Sequence, residues 1–274
     1  MRKDCSDRLK QVLSDRDRVI VSYSGGVDSS VVAAAARDSL SDRSLCILLD
    51  SPLVPRRALQ KARDRAAALG LECEVIYFPV LDDPDFRANR VDRCYRCKRL
   101  SSRLLKEKAA DFGTTCIVDG VQLSDLKEYR PGLAACREEG ISHPLVESGM
   151  DKEDVRKAAR DAGFDFWDEP SSACLASRIP YGDAITEEKL EIIEAAENIL
   201  QDLGFSQVRV RTHGPMARIE VSPGQFPRLL ELREEIVEAL EALGYRFITL
   251  DLRGFRSGSL DENIPRSGEE SLRS

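Results

Sequence analysis

The chain has 274 residues and a formal net charge of −7, with 42% hydrophobic residues and 32% charged ones. That size suits one large or two medium domains with a real core. The acidic balance argues against a protein that binds nucleic acid mainly through phosphate contacts. No apolar run approaches membrane-span length, and the charged start, Met1–Lys10, is unlike a signal peptide, so a cytoplasmic location is expected.

In chain order, Cys5–Ser14 reads as a helix before a first strand at Arg18–Tyr23. Further strands are expected at Ser44–Asp50, Glu72–Phe78, Thr115–Asp119 and Ile141–Pro144. Helices are expected between them, at Asp28–Leu40, Pro55–Leu69, Tyr95–Phe112 and Lys152–Ala162. This alternation predicts an α/β fold with a parallel sheet covered on both faces, and ligand binding at the carboxyl ends of its strands. From Phe164 to Gly182 the pattern breaks into a long connection. A helix over Thr186–Leu203 follows, its start marked by Thr186 with Glu187 and Glu188. Strands Gln207–Thr212 and Ala217–Val221 are joined across His213-Gly-Pro. A helix over Gln225–Leu243 and a strand over Arg246–Leu252 complete a small α+β domain. The expected divisions are 1–168, a linker loop 169–185, 186–257 and a polar tail 258–274.

Residues 22–30, Ser-Tyr-Ser-Gly-Gly-Val-Asp-Ser-Ser, fall between the first strand and its helix. Small residues at a helix N-terminus present backbone N–H groups and the positive end of the helix dipole to an anion. Gly25 and Gly26 permit positive φ and close approach. Asp28 is acidic and would reach phosphate through Mg²⁺. The loop lacks the Gly-Lys-Ser/Thr ending of a Walker A sequence and the third glycine of a dinucleotide fingerprint. It resembles the Ser-Gly-Gly-x-Asp-Ser loop of the PP-loop ATP pyrophosphatases, which implies that ATP is split to AMP and pyrophosphate. On that reading Ser22, Ser24, Gly25, Gly26, Val27, Asp28, Ser29 and Ser30 bind the nucleotide. Asp50, Asp119 and Gly120, at other strand ends, border it. Asp119 and Asp125 are acidic candidates for Mg²⁺, with the structural alternative that acidic loops after strands are common caps.

Eight cysteines are present, expected as thiols in a reducing compartment. Cys46, Cys73 and Cys116 sit in apolar, strand-like context and read as core residues. Cys5 and Cys136 carry no signal. Cys94-Tyr-Arg-Cys97 opens a helix, a spacing open to a metal, a redox disulfide or no joint role. Zinc would need two more ligands, and His143 and His213 are scattered, His143 reading as a strand end. Cys174 lies in the long connection among Ser171, Ser172, Ser177 and Arg178. With Cys94 and Cys97 it would supply three thiolates for a [4Fe–4S] cluster with one open iron. Alternatively it is a nucleophile whose thiolate Arg178 favours. In the last third, Arg209 and Arg211 share a strand face and suit a phosphate or carboxylate, with a solvated edge as the alternative. Glu194 and Glu220 are open to metal binding or to a plain surface role, and the sequence alone favours the surface.

These segments together resemble the LarE family, the ATP-dependent sulfur transferases of nickel-pincer nucleotide synthesis. The carrying segments are the 22–30 loop, Arg93-Cys-Tyr-Arg-Cys-Lys98, Asp119-Gly with Tyr129-Arg-Pro-Gly132, Cys174-Leu-Ala-Ser-Arg-Ile-Pro-Tyr-Gly182, Arg209-Val-Arg-Thr-His-Gly214 and Asp251-Leu-Arg-Gly-Phe-Arg-Ser-Gly-Ser259. The resemblance implies adenylylation of pyridinium-3,5-biscarboxylic acid mononucleotide, then displacement of AMP by sulfur to give a thiocarboxylate. It implies Cys174 as the essential cysteine. The sulfur comes either from Cys174 itself, which becomes dehydroalanine, or from a sulfide carried on a cluster held by Cys94, Cys97 and Cys174. The presence of all three cysteines favours the cluster. The resemblance also implies substrate binding by Ser177, Arg178, Arg209 and Arg211, and a homo-oligomer. Rival readings are tRNA thiolation, NAD⁺ or GMP synthesis, and an ATP-binding sensor without turnover. Acidic charge and the lack of a tRNA-binding module count against the first.

Overall fold

The computed structural model describes residues 5–127, 130–170 and 173–256. Tyr129, Ser171, Ser172 and the stretch from Ser257 onward, all named above, lie outside the described residues. The chain divides into two compact units, one of Met1–Phe86 with Asp92–Ala173, the other of Arg87–Val91 with Cys174–Ser274. The division after Ala173 falls inside the expected linker loop. The five residues Arg87–Val91 leave the first unit for the second, which no composition shift announces.

In the first unit the elements run α1 (Cys5–Ser14), β1 (Val19–Tyr23), α2 (Val27–Leu40), β2 (Ser44–Asp50), α3 (Arg56–Ala68), β3 (Cys73–Tyr77), α4 (Pro84–Arg87), α5 (Arg93–Asp111), β4 (Ile117–Val118), α6 (Pro131–Glu138), α7 (Pro144–Glu147) and α8 (Lys152–Asp161). The four strands form one parallel sheet in the order β3-β2-β1-β4. Alternate side chains of β1 explain its two covered faces. Val19, Val21 and Tyr23 join a core that includes residues of α1, α2, α3 and α8, while Ile20 joins Ile47, Leu105, Ala109 and Ile117 on the other face. The strand order reverses between β1 and β4, and the carboxyl ends flanking such a switch point form a crevice.

The expected fifth strand at Ile141–Pro144 is a single parallel bridge, Val118 to Ser142. Pro144 ends it: lacking an N–H, it serves as the first residue of α7 behind His143 at the N-cap. His143 is thereby a helix-capping position and not a strand end. The expected strand at Thr115–Asp119 contracts to Ile117–Val118.

The second unit contains α9 (Glu187–Asp202), β5 (Val208–His213), β6 (Met216–Val221), α10 (Phe226–Glu231), α11 (Arg233–Ala242) and β7 (Phe247–Leu250). Thr186 caps α9, its hydroxyl accepting from the Lys189 N–H at 3.3 Å. β5 and β6 pair antiparallel, and β7 adds in parallel beside β6. One apolar core joins Ala196 and Leu200 of α9 to Val210, Ile219, Ile236 and Leu240. The single helix expected over Gln225–Leu243 is broken at Leu232, which leaves the αR region (φ −91°, ψ 12°). Asn89 ties the borrowed segment in. Fully buried at φ +52°, it donates from Nδ2 to the carbonyls of Pro180 (2.7 Å) and Asp183 (2.9 Å) and accepts from the Gly182 N–H at 3.0 Å.

Candidate functional site

The phosphate loop leaves the buried end of β1. Gly25 takes φ +75°, and a Cβ there would stand 2.4 Å from the Ala62 Cβ of α3. Glycine is thus demanded twice, by conformation and by close approach. Gly26 is the N-cap of α2 and has no side chain with which to cap it. The first-turn N–H groups of α2 therefore stay available to an anion. Ser24 and Ser29 brace the loop, their hydroxyls 3.0 Å apart, with Ser29 Oγ also 3.1 Å from the Gly26 carbonyl. Ser24 and Gly26 are exposed, Gly25, Val27, Ser29 and Ser30 are buried, and Ser22 on β1 is half-buried.

Asp28, in the first turn of α2, is half-buried. Burial, then the charge of Asp125, push its carboxyl up to about 6, against the opposing pull of Lys152, Arg130 and Arg156. Asp28 is thus an acidic group in the first turn of the helix whose charge a cation would favour.

Gly120 closes the other side of the crevice. A Cβ on it would meet the Ser29 nitrogen at 2.7 Å and the Asp28 carbonyl carbon at 3.0 Å. Its part is to let the β4 loop lie on the start of α2. Asp119 beside it is buried and its oxygens are occupied. Oδ1 lies 2.7 Å from His143 Nδ1 and accepts from the Val121 N–H at 3.2 Å, while Oδ2 accepts from Lys98 Nζ at 3.1 Å. Burial alone would raise its pKa, but the His143 hydrogen bond and the Lys98 charge win and hold it at about 2. Asp119 therefore holds the crevice together, which corrects its expectation as a Mg²⁺ ligand. Asp125 is likewise buried and bound, accepting from the Gln122 N–H (3.1 Å) and paired with Arg130 (2.9 Å). Asp50, at the end of β2, pairs with Arg56 at 2.5 Å.

Cys94 and Cys97 stand three residues apart on the first turns of α5, the first exposed and the second half-buried. Among the described residues no group of three or more His, Cys, Asp or Glu side chains is gathered as a metal site. Cys46 is buried, with Cys73 its register partner on β3. Cys116 precedes β4 and accepts from Arg16 Nη1 at 3.1 Å.

In the second unit Cys174 is exposed and opens a short 3₁₀ turn, Leu175–Arg178. Its carbonyl accepts from Ser177 Oγ at 2.8 Å and from Arg178 Nη1 at 3.1 Å. Arg178 is buried and forked onto Glu197, at 2.8 and 2.9 Å, and Glu197 also accepts from the Val210 N–H at 3.0 Å. Arg178, expected beside the Cys174 thiol, is thus paired with Glu197 and bonded to the backbone of the Cys174 turn. Arg211 is buried beside Glu220, Nε to Oε1 at 2.5 Å, and donates to the Ser177 carbonyl at 2.8 Å. Glu220 is fully buried and also meets Arg218 at 3.2 Å, which corrects its reading as a surface residue. Glu194 is half-buried on α9. Arg209 stacks on Phe255, 4.3 Å from the ring centroid, and donates to the Arg256 carbonyl at 2.9 Å. Arg178 and Arg211 therefore lie in a buried network under the Cys174 turn, and Arg209 is buried against Phe255, so none of the three is on a solvated edge. Sequence reasoning missed Glu197, Lys98, His143 and Asn89 as members of these networks. Only Asn89 carried a signal, since asparagine tolerates positive φ better than most residues.

Known proteins resemble this chain both in the loop region and along nearly its whole length. A family model described as NAD synthase matches residues 2–81, which contain the phosphate loop. The chain is 35% identical over 260 residues to the pyridinium-3,5-bisthiocarboxylic acid mononucleotide synthase of Lactiplantibacillus plantarum, covering 94% of both chains. It is 37% identical over 262 residues to an uncharacterized protein of a Synechocystis species, covering 95% of this chain and 98% of that one. Similarity to a glutamine-hydrolyzing GMP synthase chain of Archaeoglobus fulgidus is lower, 24% over 225 residues, covering 73% of this chain and 68% of that one. With the phosphate loop at the switch point of its parallel sheet and an end-to-end relationship to the bisthiocarboxylic acid mononucleotide synthase, the chain belongs to the LarE family of the PP-loop superfamily.

Proposed function

We propose that this chain is an ATP-dependent sulfur transferase acting on pyridinium-3,5-biscarboxylic acid mononucleotide. The observation that carries the reading is an uncapped helix N-terminus behind Gly25 and Gly26, in a chain related over nearly its whole length to the corresponding synthase. The loop from Ser22 to Ser30 holds the β,γ-phosphates of ATP, and Asp28 holds Mg²⁺ against them. A substrate carboxylate oxygen attacks the α-phosphorus, and the bond to pyrophosphate breaks. Sulfur then attacks the acyl carbon and AMP leaves with the electron pair.

Cys174 is the sulfur-delivering residue. Its donor chemistry, together with Cys94 and Cys97, fits three thiolate ligands of a [4Fe–4S] cluster. When bound, that cluster would carry the sulfide to be transferred. Ser177, Arg178 and Arg211 hold the turn that presents Cys174 to the substrate, and Arg209, buried on the same strand as Arg211, completes this substrate-binding group. A homo-oligomer is part of this reading. Among the described residues no helix is long and apolar enough to cross a membrane.

The test is pyrophosphate release from ATP and Mg²⁺ on adding the biscarboxylate mononucleotide. Substrate-dependent release with thiocarboxylate product is expected, and its absence overturns the reading. Anaerobic purification followed by iron analysis and intact mass separates the sulfur routes. About four irons per chain support the cluster. An iron-free chain that loses the sulfur of Cys174 on turnover overturns it in favour of sacrifice.

A further inference from the structure

Arg65 lies on α3 three residues beyond Ala62, the residue against which Gly25 packs, and so shares its helix face. Its Nη1 donates to the Gly25 carbonyl at 2.8 Å. Its Nη2 lies 2.7 Å from a carboxylate oxygen of Glu169. The guanidinium carbon stands 3.9 Å from the centroid of the Phe166 ring, which is buried and stacked on Phe164 at 5.1 Å. One planar group, largely buried, thus touches the phosphate loop with one nitrogen and the segment after α8 with the other and with its face.

The contact to Gly25 bears on phosphate binding through elementary peptide geometry. In a planar trans peptide the C=O of one residue and the N–H of the next point in opposite directions. A guanidinium that holds the Gly25 carbonyl on the α3 side therefore turns the Gly26 N–H toward the exposed side of the loop. Its protein acceptor there, Ser24 Oγ, is a long 3.4 Å away. Any rotation of that peptide when an anion takes the N–H moves the oxygen that anchors Arg65, and with it the ion pair to Glu169. Glu169 is five residues before Cys174 in the chain.

We propose that Arg65 is a positioning residue that orients the 25–26 peptide for the pyrophosphate end of ATP and couples occupancy of the loop to the Phe166–Glu169 segment leading to Cys174. The assignment rests on the ATP-binding part of the proposed function. Lysine could not replace it, because a single ammonium does not offer the forked donors and the stacking face together.

Hydrogen exchange and calorimetry of the full chain with Mg²⁺ and a non-hydrolysable ATP analogue test the coupling. In the wild type the analogue should slow exchange in peptides covering both 24–27 and 164–169. In Arg65→Met the affinity should fall on the order of tenfold, with protection at saturation confined to 24–27. Arg65→Lys should resemble it. Wild-type affinity in Arg65→Met, or retained protection over 164–169, overturns the proposal. Glu169→Gln, at an exposed position, guards against misfolding of the arginine variants. It should keep protection at 24–27 and lose it at 164–169, and retention at both overturns the coupling. If the wild type shows both protections yet releases no pyrophosphate with the biscarboxylate, the substrate reading fails and the Arg65 assignment stands. If the wild type does not bind the analogue, both fall.

Discussion

Asp119 Oδ1 lies 2.7 Å from His143 Nδ1, across the gap between β4 and the start of α7. Together with Lys98 from α5, this contact joins three separate segments behind the phosphate loop. Its strength is open to measurement through pH. The Asp119 carboxyl titrates at about 2 in the folded chain, against an ordinary 3.8. A depressed pKa contributes stability that is complete above the unfolded value and is lost as pH falls through the folded one. The unfolding free energy should therefore drop by ~2 kcal/mol between roughly pH 4 and pH 2 from this group alone. Urea titrations across that range should show the drop in the wild type and a shallower one in Asp119→Asn.

Asp28 behaves in the opposite sense. Its carboxyl is raised to about 6, so the folded chain holds a proton that the unfolded chain releases between about pH 4 and pH 6. Stability is lost as pH rises through that window. Asp28→Asn should raise the melting temperature of the nucleotide-free protein by a few degrees at pH 7.5 and remove Mg²⁺-dependent pyrophosphate release. A variant that melts lower than wild type at pH 7.5 would contradict the burial argument.

Gly25 and Gly120 are both held by contact with backbone or Cβ atoms that cannot swing away. Gly120→Ala forces a methyl group to within 2.7 Å of the Ser29 nitrogen. It should cost about 1–3 kcal/mol of stability as overpacking and weaken ATP binding more than substrate binding. Gly25→Ala carries the added strain of a left-handed backbone and should lose more. Unfolding midpoints and the KM for ATP check both.

Arg211 and Glu220 form a pair with almost no solvent exposure, 2% and 0% for the side chains. Glu220→Gln takes the carboxylate from both Arg211 and Arg218 and should destabilise the second unit by about 3–5 kcal/mol, whereas Arg211→Met, which leaves Glu220 its Arg218 contact, should cost less. The double variant Arg211→Met with Glu220→Met should recover much of that loss while still failing to turn over. Recovery of activity in the double variant would show the pair to be dispensable for the Cys174 turn.

Cys174→Ala should separate the two halves of the reaction. Pyrophosphate release in a single turnover should persist, and thiocarboxylate should be absent by mass spectrometry. Cys94→Ser with Cys97→Ser should abolish sulfur transfer and iron content together. Full activity in that pair of substitutions would remove α5 from the sulfur chemistry.

The parallel sheet and its phosphate loop were readable along the chain because each signal is local. An apolar run, two glycines and an amphipathic helix follow one another within Val19–Leu40. The same locality places Thr186 at the start of α9. It fails where a residue's state depends on a partner far along the chain. His143 reads as a strand end until Pro144 turns the backbone and Asp119 meets the ring. Glu220 reads as surface until Arg211 and Arg218 neutralise it.

By itself the amino-acid sequence determined the alternation of strands and helices around the parallel sheet, the glycine loop between β1 and α2, and the chemistry on offer: an anion cradle, an acidic residue behind it and three thiols at Cys94, Cys97 and Cys174. Tertiary structure decided which charges are available for chemistry. It buried Asp119, Glu197 and Glu220 against Lys98, Arg178 and Arg211, moved Arg87–Val91 into the second unit through Asn89, and set Arg65 between Gly25 and Glu169. The physical reason is that periodicity and backbone preference act over a few residues, whereas a charge survives burial only beside a partner that the folded chain brings to it.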